Sequence, residues 1–115
     1  MSNTLHEYIE VIEAGYEFLL AYAAQGRESD EGKGGSEVRT TLTGMSEAAA
    51  AISETLDADD TFAAVVVDDA RKSIAAISLV LRQDKISSEL IDNLNASIHV
   101  RALLTDLFLL SETLS

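Results

Sequence analysis

Apolar residues recur every three or four positions along most of this 115-residue chain, and a spacing of 3.6 predicts amphipathic helices rather than strands. The last stretch carries more large apolar side chains than one helix face can bury. Along it Leu94, Ile98, Ala102, Thr105 and Leu109 fall on one side, and Val100, Leu103, Leu107, Leu110 and Leu114 on the other. One stripe suffices for a core, so the second is expected to meet a partner.

The preceding stretches read as three further helices. Thr4-Leu-His-Glu7 fits a capping box and predicts a first helix from Thr4 to about Gln25. Its inward stripe is Leu5, Ile9, Ile12, Tyr16, Leu19 and Ala23, with Glu7, Glu10, Glu13 and Glu17 gathered opposite. A further apolar set, Val11, Gly15, Phe18 and Tyr22, flanks it, and a glycine inside a helix suggests the close approach of a neighbour. Residues 26–35, rich in Gly and charge and without an apolar anchor, read as a flexible loop. Ser36 is placed to cap a second helix with the stripe Val38, Leu42, Met45, Ala49, Ile52 and Leu56. Asp57 to Asp60 form a short connection to a third helix, whose inward residues are Phe62, Val66, Ala70, Ile74, Ile77 and Leu81. That helix gives way near Gln83-Asp84-Lys85, and Ser87 or Ser88 starts the fourth.

These elements predict one all-α domain over residues 1–115, an antiparallel up-down-up-down four-helix bundle. A three-helix arrangement with one helix broken is the alternative. Proline is absent, which removes the commonest helix interruption.

Charge and composition narrow the function. Twenty acidic against eight basic residues leave a net charge of −12, which repels phosphate backbones and anionic membranes. Nucleic-acid and membrane partners are therefore not expected. Without cysteine there is no disulfide, no thiolate nucleophile and no Cys-based metal site. No basic leader or long uncharged apolar run is present, so a cytoplasmic location is the expectation.

Candidate chemistry is sparse. Gly32-Lys33-Gly34 lacks the spacing and the following Ser or Thr of a phosphate-binding loop. No Glu-x-x-His pair suggests a di-iron centre, and His6 and His99 are expected about 20 Å apart at different heights of the bundle. His99, sharing its stripe with Asp92, Asn95 and Asp106, is the candidate for a phospho-accepting group. Small helical phosphotransfer domains resemble the chain in size and expected architecture, but they follow the histidine with Lys-Gly where Val100-Arg101-Ala102 stands here. No catalytic triad spacing appears, and neither an enzyme nor a cofactor is expected.

Two functional classes remain. One is a non-catalytic protein–protein interaction module (adaptor, chaperone or regulatory subunit) working through exposed apolar helix faces as a homodimer. Its interface is expected from Val11, Gly15, Phe18, Tyr22, Val100, Leu103, Leu107 and Leu110. The other is a bundle holding an apolar small molecule or cofactor beside the small-residue wall Ala48–Ala51. Arg101, on a mainly apolar row with Leu94, Ile98, Thr105 and Phe108, needs a carboxylate, and Glu13 or Glu17 is the expected ion-pair partner.

Overall fold

A computed structural model describes residues 2–33, 35–56 and 59–113. Among them every regular element is an α-helix: α1 (Ser2–Ala23), α2 (Glu37–Thr55), α3 (Thr61–Leu81), α4 (Ser88–Ala96) and α5 (His99–Thr113). The expected roles of Asp57 and Leu114 lie outside the described residues. Helix α1 begins two residues before the anticipated cap, so Thr4 is already inside it. Ser36 stands at the start of α2 as expected, but its backbone is helical and its side chain makes no capping bond. The starts of α3 and α4 follow capping chemistry. Asp60 accepts the Ala63 N–H at 2.8 Å, and Ser87 accepts that of Leu90 at 3.0 Å, each satisfying an amide that the helix leaves unpaired.

Helix α1 packs against α2 on one flank and against α4 and α5 on the other, while α3 packs against α2, α4 and α5. One apolar cluster draws on all five helices, with Ile12, Leu19, Leu42, Ile52, Val66, Ile77, Ile91 and Leu107 in it. The stripe read for α2 is buried from Val38 to Ile52. Because α1 has neighbours on both flanks, its apolar face is wider than one stripe. Gly15 is buried, and a Cβ there would run into the Met45 side chain of α2. The close approach is thus a contact between α1 and α2.

The expected single fourth helix is two helices. The chain turns at Ser97 and Ile98, where Ile98 takes a left-handed backbone (φ 63°) normally reserved for glycine. Ser97 and Ile98 donate their N–H groups to Asn93 and Asn95 at 3.0 and 3.1 Å, and the Ser97 hydroxyl caps Leu94 at 2.6 Å. A β-branched residue in that conformation costs roughly 1–2 kcal/mol. What offsets it is a change of buried face. In α4 the buried apolar residues are Ile91 and Leu94, whereas α5 buries Val100, Leu103, Leu104 and Leu107.

The loop between α1 and α2 has a polar anchor that its composition concealed. Arg39 on α2 donates from Nε to Asp30 at 2.7 Å and from its two Nη groups to the carbonyls of Leu81, Gln83 and Asp84 at 3.0, 2.7 and 3.1 Å. Asp30 also accepts the Ile86 N–H at 2.9 Å. Arg27 and Ser88 exchange hydrogen bonds at 2.8 Å, the Ser88 hydroxyl donates to the Tyr22 carbonyl at 2.7 Å, and the Tyr22 hydroxyl donates to the Ile86 carbonyl at 2.6 Å. Together these bonds clasp residues 27–30 to the α3–α4 connection.

Candidate functional site at the seam of α1 with α4 and α5

The expected interface set divides by burial. Tyr22, Val100, Leu103 and Leu107 are core residues, and Gly15 faces Met45. Phe18 is half-buried and stacks on Tyr22 with ring centroids 6.2 Å apart, Leu110 is half-buried, and only Val11 is exposed. Most of that set is therefore occupied within one chain. For the α5 residues the reason is the turn at Ile98, which sends the row Val100, Leu103 and Leu107 inward and the opposite row outward.

Arg101 moves with that outward row. It is exposed, and among the described residues it forms no ion pair with Glu13 or Glu17, both also exposed. The row it was expected to share with the core instead presents Ile98 (59% exposed), Arg101, Thr105 and Phe108 (41%) to solvent, with Leu109 (57%) beside them.

The turn leaves a cleft of about 420 Å³ between α1 and the α4–α5 junction. Tyr16, Leu20 and Ala23 of α1, with Ala24 just after it, form one wall, and Asp92, Asn95, Ala96, Ile98 and Arg101 the other. Leu20 is 47% exposed there, opposite Ile98. Asn95 donates to the Leu19 carbonyl at 3.4 Å, while its Oδ1 is buried without a donor. The cleft thus combines apolar walls with one cation, one carboxylate and one unsatisfied acceptor. Neither Leu20 nor Ile98 belongs to the expected interface: Ile98 lies on the stripe of Leu94, Ala102, Thr105 and Leu109, and Leu20 falls on neither apolar set of α1.

Elsewhere the titratable groups are mostly solvated. His6 pairs with Glu10 at 3.0 Å and Lys72 with Asp68 at 3.2 Å, both on exposed helix faces. His99 is half-buried on α5. Burial raises the Asp30 carboxyl, but the Arg39 guanidinium and the Ile86 N–H outweigh it and hold the group below the ordinary carboxylate range. Burial also raises the Tyr22 phenol, with Arg27 pulling the other way from 5.8 Å off the ring centre. Asp106 on α5 departs furthest. Burial first, and then the hydrogen bond and charge of Asp69 on α3, push its carboxyl up to about 7.

Among the described residues no group of three or more His, Asp or Glu side chains is placed to hold a metal ion. Nor is any helix there long and apolar enough to cross a membrane. The small-residue wall lies inside the core at Ala48 and Ala49, and the cleft at the α1 seam takes nothing from it. Comparison with protein-family models, with curated proteins and with solved structures finds no match for the chain.

Proposed function

We propose that this protein is a non-catalytic interaction module that docks a partner protein on the seam between α1 and the α4–α5 junction. Its framework is an antiparallel bundle of four columns in which α4 and α5 together form the fourth. The observation that carries the reading is the pair Leu20 and Ile98, two large apolar side chains about half exposed on opposite walls of one cleft. Since each is about half exposed, a partner that covers them gains about half of the ~1.5–3 kcal/mol that full burial of such a side chain contributes, roughly 1 kcal/mol each. Ile98 is also held in a costly backbone conformation, a condition that concentrates at functional positions.

The partner's chemistry follows from the charge. With −12 on the chain and Glu13, Glu17 and Asp92 exposed nearby, a segment carrying an apolar side chain flanked by Lys or Arg is favoured over any anionic ligand. Self-association is the second reading, and Phe108 and Leu109, adjacent and exposed on α5, replace the buried leucines as its surface.

Photocrosslinking in the native host tests the proposal, with the crosslinker at position 20 or 98 and a control at Ala64, exposed on α3. A basic protein captured from 20 and 98 but not from 64, and lost in Leu20→Glu or Ile98→Glu with the helical circular dichroism unchanged, is the expected result. Equal capture from position 64 refutes the docking site. Light scattering separates the second reading: a dimer disrupted by Phe108→Glu/Leu109→Glu makes a second copy the partner.

A further inference from the structure

Asp69 and Asp106 meet across the packed interface of α3 and α5. Asp106 lies between the core residues Leu103 and Leu107 in sequence, and Asp69 precedes the fully buried Ala70. Neighbouring Ser73 does not serve the pair, because its hydroxyl donates to the Asp69 backbone carbonyl at 2.9 Å. With both carboxyls ionised, Asp106 Oδ2 is a buried acceptor that no donor reaches. A single proton changes this: whichever carboxyl holds it becomes a donor to the other, and the buried oxygen is satisfied.

We propose that Asp69 and Asp106 share one proton and form a proton-controlled latch that fastens α5 to α3 in mild acid and loosens it around neutral pH. Closing the latch forms one O–H···O bond between the carboxyls. Opening it releases that proton to solvent and leaves two like charges facing each other.

Among the described residues no cation acts on Asp106. On α3 the nearest charged side chains in sequence are Asp68 and Lys72, which bind each other on the exposed side, and exposed Arg71. On α5 they are exposed Arg101, exposed Glu112 and half-buried His99. Helix α4 carries exposed Glu89 and Asp92, and α1 carries exposed His6, Glu7, Glu10, Glu13 and Glu17. None of these contributes to the state of Asp106, which is set by burial and Asp69. His99 is a half-buried imidazole on the same helix as Asp106, so the test includes a variant of it.

The sign follows from linkage. The folded-state value of Asp106 lies above its ordinary 3.8, so the stability it contributes is complete below that value and is lost as pH rises through about 7. The latch stands whether or not the cleft on the α1 side docks a partner.

Thermal unfolding of the full chain, between about pH 5.5 and 8.5, tests it in the wild type and in Asp106→Asn, Asp69→Asn and His99→Gln. The wild-type Tm is expected to fall by roughly 4 °C or more across that range, both Asn variants to flatten the fall and His99→Gln to keep it. A flat wild-type profile overturns the latch, as does a slope that survives in the Asn variants or disappears in His99→Gln. Carboxyl carbon NMR of the unmodified protein gives a reading that needs no variant: one Asp resonance titrating near 7 supports the latch, and no carboxyl titrating above about 5 refutes it.

Discussion

Replacing Asp30 with alanine tests whether the polar clasp, and not the apolar core alone, holds the α1–α2 loop against the rest of the bundle. The substitution removes two interactions at once. Arg39 loses the carboxylate 2.7 Å from its Nε, and the N–H of fully buried Ile86 loses its acceptor at 2.9 Å. An orphaned buried amide costs about 1–3 kcal/mol. Breaking a fully buried ion pair costs about 3–5 kcal/mol, but the Asp30 side chain is 11% and that of Arg39 35% exposed, so solvent recovers part of that sum. The guanidinium also keeps its three carbonyl acceptors at Leu81, Gln83 and Asp84. A net loss of about 2–4 kcal/mol follows, read as the shift in ΔG from urea unfolding at neutral pH. Asp30→Asn keeps an oxygen for the Ile86 N–H and should lose about half as much. Since the folded Asp30 carboxyl is held below its ordinary 3.8, its contribution is present above that value and vanishes as pH falls through the folded one. The gap between wild type and Asp30→Ala should therefore narrow by about half in strong acid, because a protonated carboxyl, like the Asn amide, still accepts the Ile86 N–H. A loss under about 0.5 kcal/mol at neutral pH, within the range of ordinary surface substitutions, would refute the clasp as a stabilising element.

Tyr22→Phe removes a buried 2.6 Å hydrogen bond to the Ile86 carbonyl while keeping the ring in place, and should cost about 1–2 kcal/mol in the same urea assay; an unchanged midpoint would show that bond to be dispensable. Ile98→Gly relieves the left-handed conformation and removes an exposed side chain, so a gain of roughly 0.5–1 kcal/mol is expected, and a destabilised variant would mean that Ile98 packs more tightly than its exposure implies.

Helix positions were legible because their causes are local. Asp60 and Ser87 cap the helices they precede, and Val38, Leu42, Met45, Ala49 and Ile52 are buried in the order their spacing predicts. The turn at Ile98 was not legible, since no Gly or Pro marks it and both stripes of the last segment are apolar. Only packing against α1 and α3 decides that Val100, Leu103 and Leu107 turn inward, and that decision carried Arg101 and the expected interface with it. Tyr22 was misplaced for a related reason: the width of α1's buried face depends on having α2 on one flank and α4 and α5 on the other. The clasp was hidden because Arg39, Asp30 and Ile86 are far apart in sequence and polar partners follow no period. Asp106 was visible only as a neighbour of His99 on one stripe, and its partner Asp69 is set by how α3 and α5 are aligned.

The α4–α5 turn also has the form of a two-residue insertion in an otherwise regular heptad. From Leu94 to Val100 the spacing is six, while Val100, Leu103 and Leu107 then step by three and four. Without Ser97 and Ile98 the first step would be four, and one straight helix would carry Ile91, Leu94 and the α5 core residues along a single seam. Two extra residues advance a helix by about 200°, which is why the outward row of α5 extends the line of Leu94. The exposed apolar surface is thus a product of register: the same side chains in a continuous helix would leave one seam inside and a different row in water.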